Sequence, residues 1–547
     1  MSSTADHTAS LSSRLPQVID GYDLAAETQR ARTTIPDVHV LGRTLNRATA
    51  VVAYGPEPAH HEETRRRHAA NVFANTLDPD SPVLELGWPT SGHFVMDSRG
   101  VHIDLVLAVA QRVLDERHPR VVEALARLSD AGLLAHREIN TDDYLDRAPH
   151  APGLHLPQDV AELLNGVLAT SYPGSGAWRT FFTNSGAESC EAALKLAFMT
   201  RYKRFLETHG EARLAEVMRE LGIRPFAPLA ADTSRKEAVY EDYPFFVAGL
   251  ERAFHGRTLG ALSLTASKKV QKVGFPRLRW VRHIPLNAPA GTLEALVDTR
   301  GIDELLRTPG ELRRTIDDGR IPRDLFAGFL MEPFQGEGGY RPATPEFAQD
   351  CARTCRAHGA LFMLDEVQTF ARTGTLFFGQ QLGVEPDAVS MAKGLFAAAL
   401  VARADLSRYL HGGWHSNTWG GGRILDVQVG HAVLDTLAHH RDPLFEGRSL
   451  PENQMLKGRL LEAGLHELRT RHPGVVDSYV VRGGMARLTV RRRADLVREA
   501  WARGLKLLPC GAAGEVSSIR VLLLADVLGR EVHAALDVLD AACAALS

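Results

Sequence analysis

Four short segments of this 547-residue chain carry side chains whose types and spacing could do chemistry together. In Asp387-Ala-Val-Ser-Met-Ala-Lys393-Gly394 a lysine follows a short apolar run instead of lying on a charged helix face. Most lysines are solvated surface charges, but one delivered to a partly desolvated sheet end gives up its proton more readily and becomes a nucleophile and proton shuttle. In Ala360-Leu-Phe-Met-Leu-Asp365-Glu-Val-Gln368 an apolar run delivers Asp365, and a buried carboxylate needs a cationic partner. A protonated ring nitrogen would serve, and so would a structural arginine. Phe182-Thr-Asn-Ser185-Gly186-Ala187-Glu188 runs into a helical pattern. Small residues at a helix start let backbone N–H groups approach a phosphate, although the same residues also make an ordinary cap. Ala253-Phe254-His255-Gly-Arg257-Thr258 offers an aromatic face for stacking on a ring and a glycine for close approach, or else simple core packing.

The elements around these segments must place them at one edge. From Ala151 to about Gly422 short apolar runs alternate with amphipathic helical patterns, the signature of an α/β domain with a mainly parallel sheet. The clearest strands are Ala327–Met331 and Ala360–Leu364, and the polar residues after them fall at strand C-terminal ends, where open α/β sheets bind ligands. After Ile424 come a long helical stretch, the strand-like Met485–Val490 and a helix from Ala494, which predict a smaller α+β domain. Residues 1–70 read as an N-terminal extension, 71–145 as the first part of the small domain, 146–425 as the large domain with a charged helical insertion at about 204–245, and 426–547 as the rest of the small domain.

Composition narrows the classes. A hydrophobic fraction of 44%, a charged fraction of 24% and a net charge of -3 are those of an ordinary globular protein and give no reason to expect nucleic acid as a partner. The opening residues lack the apolar core of a secretory signal, nothing approaches a membrane span, and five sparse cysteines suit a reducing compartment. The expectation is a cytoplasmic protein.

Taken in order, the four segments and Gly328-Phe-Leu-Met-Glu-Pro-Phe-Gln-Gly-Glu337-Gly-Gly339 resemble the class III aminotransferases of pyridoxal-5′-phosphate (PLP) fold type I, from about Asp97 to Arg520. The resemblance implies a large domain with a mainly parallel seven-stranded sheet and a smaller α+β domain. It implies PLP as the cofactor, carried by Lys393 as a Schiff base, with Asp365 on the ring nitrogen and the backbone around Ser185, Gly186 and Ala187 on the phosphate. Phe254 would stack on the ring beside His255, and Gln368 would bond the phenolic oxygen. Thr418, in His415-Ser-Asn-Thr-Trp-Gly-Gly421, would reach the phosphate of a neighbouring subunit's cofactor, which implies a homodimer with shared active sites.

Within that family the likeness runs to the lysine ε-aminotransferases, through the ungapped step from Lys393 to Arg403 and the run from Trp501 to Arg520. It implies transfer of the ω-amino group of a lysine- or ornithine-like donor to 2-oxoglutarate. Glu337 and Arg520 would form a gate whose arginine grips a carboxylate when the glutamate swings aside, and Arg257 would hold the donor's α-carboxylate. Asp104-Leu-Val-Leu-Ala-Val-Ala-Gln111 lacks the small and aromatic residues that line the substrate entrance in relatives, which leaves room for a different amine in a biosynthetic pathway, or for an aminomutase or decarboxylase. No metal is expected. His60, His61 and His68 lie near Glu62 and Glu63 but among Arg65, Arg66 and Arg67, and read as a solvated helix face.

Overall fold

A computed structural model describes residues 10–72, 83–134, 153–226, 240–278, 280–297, 325–409, 421–511 and 517–547. The chain divides into two compact units, one formed by Met1–Glu123, Ala371–Leu376 and Asp435–Ser547, the other by Ala124–Phe370 and Phe377–Leu434.

The second unit is built on a seven-stranded sheet. Its strands in chain order are β1 (Trp178–Phe182), β2 (Phe246–Leu250), β3 (Val281–Ile284), β4 (Phe326–Met331), β5 (Leu361–Asp365), β6 (Ala388–Met391) and β7 (Ala399–Arg403). They lie in the order β3-β2-β4-β5-β6-β7-β1, and only the two pairings of β7 are antiparallel. Every residue of β2, β4 and β5 is buried. That two-sided burial is why these strands read as unbroken apolar runs and not as alternations. The helical segment Gly186–Glu220, broken at Gly210, starts just after β1, and the helix Pro345–Ala357 precedes β5. Since β1, β2, β4, β5 and β6 all point one way, the residues that follow them share one edge of the sheet.

The first unit holds a four-stranded antiparallel sheet, ordered Val476–Arg482, Met485–Val490, Ser518–Leu522, Leu508–Cys510, flanked by the helices Leu450–Arg471 and Gly529–Ala544. A smaller sheet pairs Phe94–Asp97 with Gly100–Asp104, and Leu505–Lys506 joins it in parallel. Residues 10–72 belong to this unit and are anchored by buried charge. Glu27, on the helix Leu24–Thr34, takes the Tyr22 hydroxyl at 2.6 Å and pairs with the fully buried Lys457 ammonium. Arg47 lies between Asp526 (2.7 Å), Glu531 (3.0 Å) and Asp115 (3.4 Å). Among the described residues, no helix is long and apolar enough to cross a membrane, and the five cysteines are free and buried.

Candidate active site

Lys393 lies two positions beyond the last residue of β6, after Ala392, and opens a short 3-10 turn. Its φ of +39° lies in the left-handed region, where a side-chain-bearing residue costs of order 1–3 kcal/mol and persists only when its surroundings hold it. The half-buried side chain donates from Nζ to Gln368 Oε1 at 3.3 Å. Gln368 in turn donates from Nε2 to the Tyr340 hydroxyl at 2.8 Å. Gly336 leaves the room this requires, because a Cβ there would run into the Gln368 carboxamide.

Asp365 ends β5 and is 4% exposed. Its Oδ2 accepts from His255 Nδ1 at 2.7 Å and from the Cys190 thiol at 3.3 Å, and its Oδ1 accepts from the Val367 N–H at 3.1 Å. The structural alternative for Asp365 was an arginine partner, and the structure instead supplies histidine. Burial pushes the Cys190 thiol up and the nearby Asp365 charge adds to the shift, so the sulfur keeps its proton and acts as a donor.

The helix start lies beside this carboxylate. Ser185 caps it, its Oγ accepting from the Glu188 N–H at 3.3 Å. A Cβ on Gly186 would fall 2.7 Å from Val367 Cγ1, two residues beyond Asp365, so only glycine lets the first turn sit this close to the end of β5. Gly256, at φ +131°, packs on Ala187 in the same way, with a virtual Cβ 2.5 Å from the Ala187 Cβ. The loop after β2 thus brings Phe254 and His255 onto the same place. Glu332, just after β4, fixes that loop: its Oε2 accepts from the Phe254 N–H at 2.7 Å and its Oε1 from the Gly336 N–H at 3.1 Å. Burial raises the Glu332 carboxyl to about 7, with the Asp365 charge pushing the same way and His255 opposing.

An amine, a carboxylate able to pair with a ring cation, a helix start suited to phosphate and an aromatic side chain therefore converge at one sheet edge. That donor set fits PLP, and the two glycine contacts draw the helix start and the loop after β2 in against the end of β5. Lys393, Asp365, Gln368, Phe254, His255, Ser185, Gly186 and Ala187 all belong to this place. Arg257 is exposed on the same loop. Glu337 is partly buried and its Oε2 accepts from Lys268 Nζ at 2.8 Å. Arg520 belongs to the other unit, on the strand Ser518–Leu522, where its guanidinium donates to the Pro509 carbonyl at 3.4 Å. Thr418 lies outside the described residues.

Cys190, Glu332 and Tyr340 were not singled out in the sequence. Glu332 and Gly336 stand inside the Gly328–Gly339 run, which was quoted only for its family resemblance. Nothing local marks Cys190, which sits at an apolar position of a helical pattern.

A family model described as aminotransferase class-III matches residues 88–542. An acetylornithine aminotransferase of Gloeobacter violaceus is 31% identical over 458 residues, 82% of this chain and 90% of that protein. An L-lysine-epsilon aminotransferase of Amycolatopsis lactamdurans is 33% identical over 278 residues, 49% of this chain and 59% of that protein. Among solved structures, lysine aminotransferase from M. tuberculosis aligns with a TM-score of 0.65 at 26% identity, covering 90% of this chain and all of that one (100%).

Proposed function

The chain belongs to the class III aminotransferase family and is a PLP-dependent transaminase, and on that premise we propose that it moves the ω-amino group of a lysine- or ornithine-like diamino acid to 2-oxoglutarate. The products are a semialdehyde and glutamate. The observation that carries the chemistry is the convergence of Lys393, Gln368 and Asp365 with the Gly186 helix start. What supports the donor class is its kin, acetylornithine and lysine aminotransferases.

PLP, when bound, supplies the electron-withdrawing ring that lets a proton leave the carbon bearing the donor amine. This chain's residues do the rest. Lys393 Nζ would hold the cofactor and move that proton. Asp365 would pair with the ring nitrogen, its two oxygens held in place by donors from His255, Cys190 and Val367. The backbone at Ser185–Ala187 would hold the phosphate, Phe254 would cover one ring face and Gln368 would bond the phenolic oxygen. Arg257 and Arg520 are assigned to substrate carboxylates and Glu337 to the gate that releases Arg520, the Glu337 carboxylate accepting from Lys268 Nζ in this structure.

The same reading includes a homodimer, with Thr418 serving the partner's cofactor. It is supported by exposed apolar side chains within one short stretch, Leu259 (54%), Val270 (79%), Val273 (64%) and Phe275 (59%), which a second copy would cover. Cytoplasmic residence is supported by the five free, buried cysteines. The donor assignment is tested by supplying the purified holoenzyme with L-lysine, L-ornithine or N-acetyl-L-ornithine and measuring glutamate formed from 2-oxoglutarate. Turnover with at least one of them is expected; none with any of the three removes the ω-amine reading.

A further inference from the structure

The start of the helix His60–Asn71 brings together groups that the transaminase chemistry does not use. His60 Nε2 and His61 Nε2 both point at one oxygen, Glu85 Oε1, at 3.2 and 2.9 Å, and the three atoms lie within 4.8 Å of one another. A cation bound tetrahedrally by nitrogen and oxygen at about 2.0–2.1 Å sets its ligand atoms roughly 3.3 Å apart. The two nitrogen–oxygen separations are already close to that edge length.

Features beyond the three atoms set this cluster apart from a chance surface group. The His61 side chain is 1% exposed, so one ligand is built into the fold, while Glu85 is 16% and His60 63% exposed, leaving an open side. His61 Nδ1 bonds Glu57 Oε1 at 3.1 Å. A carboxylate on the far nitrogen is the arrangement that fixes the tautomer and aim of a metal-bound histidine. Glu85 is itself held by the Ser98 N–H and hydroxyl, both at 2.8 Å. Two of the three neighbouring arginines are already charge-paired, Arg65 to Glu57 at 2.6 Å and Arg66 to Glu63 at 2.7 Å.

We propose that His60, His61 and Glu85 form a binding site for a divalent transition-metal cation of the zinc class, with Glu57 orienting His61 and the fourth position left to water. Two imidazoles and one carboxylate favour zinc, nickel or copper over magnesium or calcium. The cation would tie the start of the helix His60–Asn71 to the segment before Phe94–Asp97, all within the first unit.

The test is zinc titration of chelator-stripped holoenzyme, by calorimetry and by competition with a chromogenic chelator. One zinc per chain is expected, with affinity at least tenfold weaker in both His60→Ala and Glu85→Gln. It should be unchanged in His439→Ala, which removes an exposed histidine that bonds Asp435 at 3.0 Å. Because His60 is largely exposed, His60→Ala keeps the fold and decides alone if Glu85→Gln does not express. Absence of stoichiometric zinc in the wild type, or less than a tenfold loss in His60→Ala, overturns the site.

Discussion

Gly256→Ala tests whether the site is assembled as described. Gly256 sits at φ +131°, which a residue with a Cβ adopts at a cost of about 1–3 kcal/mol. The new methyl would lie 2.5 Å from the Ala187 Cβ and 2.9 Å from its Cα, where ordinary contact begins at 3.4 Å, so loop and helix must part by roughly 1 Å. The loop cannot retreat freely. Thr265 Oγ bonds the Gly256 carbonyl at 2.8 Å and receives the His255 N–H at 2.9 Å, and the His255 ring is held on Asp365. Overpacking adds about 1–3 kcal/mol, giving about 2–6 kcal/mol in all. If the movement falls on Ala187, a phosphate hydrogen bond worth about 1.5–3 kcal/mol is lost, or roughly 10- to 150-fold in PLP affinity. Urea denaturation and PLP titration of the apoenzyme read the two effects. Gly222→Ala is the control, since Gly222 also has positive φ (+67°) but nothing within 4 Å, so only a strain of about 1–2 kcal/mol is expected. A Gly256→Ala protein as stable as Gly222→Ala, with PLP affinity within twofold of wild type, would refute the reasoning.

Arg47→Met should destabilise the first unit by at least about 3–5 kcal/mol at pH 8, because it leaves Asp115, Asp526 and Glu531 buried without their cation. A loss below about 2 kcal/mol in denaturation curves would count against the buried-charge account. Glu366, like Glu332, is raised by burial to about 7 from an unfolded value of 4.5. A carboxyl that keeps its proton longer when folded makes stability fall as pH rises from about 4.5 to about 7, with the full loss present above 7. Glu366→Gln should flatten that part of the stability–pH curve, and an unchanged slope between pH 5 and 7.5 would contradict it. Asp365→Asn should weaken PLP binding and nearly abolish transamination while Cys190 stays buried; a variant with more than a tenth of wild-type activity would remove Asp365 from the ring-nitrogen role.

The parts of the site that could be read in the sequence were those carried by single strands. β5 and β6 are buried on both faces, so their apolar runs stand out and deliver Asp365 and Lys393 at the expected ends, with the β5 boundaries displaced by one residue. What joins strand to strand was hidden. His255 and Cys190 reach the same Asp365 oxygen from 110 and 175 residues away, and neither spacing leaves a local mark. Residues 1–70 read as an extension because hydropathy cannot see burial achieved by charge. Glu27 and Lys457 are both fully buried (0%) because each neutralises the other. The departing segment after Asp104 hid a backbone feature, four successive left-handed residues from Leu107 to Ala110 at φ 51–65°. Asp104 Oδ1 holds their start by accepting the Val106 and Leu107 N–H groups at 2.7 and 3.2 Å. Leu-Ala-Val-Ala gives no hint of that conformation, because none of these residues favours it. His60 and His61 read as solvent-facing because Glu85, their shared partner, lies 24 residues beyond His61.

The most direct measurement follows the cofactor's visible absorbance through one half-reaction. Holoenzyme mixed with a lysine- or ornithine-type donor, without any keto acid, should lose that absorbance stoichiometrically and release a semialdehyde, and 2-oxoglutarate should restore it with formation of glutamate. Lys393→Ala should show neither step and no borohydride-stable link between cofactor and chain. Absorbance unmoved by every diamino acid, or a product released with no need of 2-oxoglutarate for recovery, would contradict an ω-transaminase.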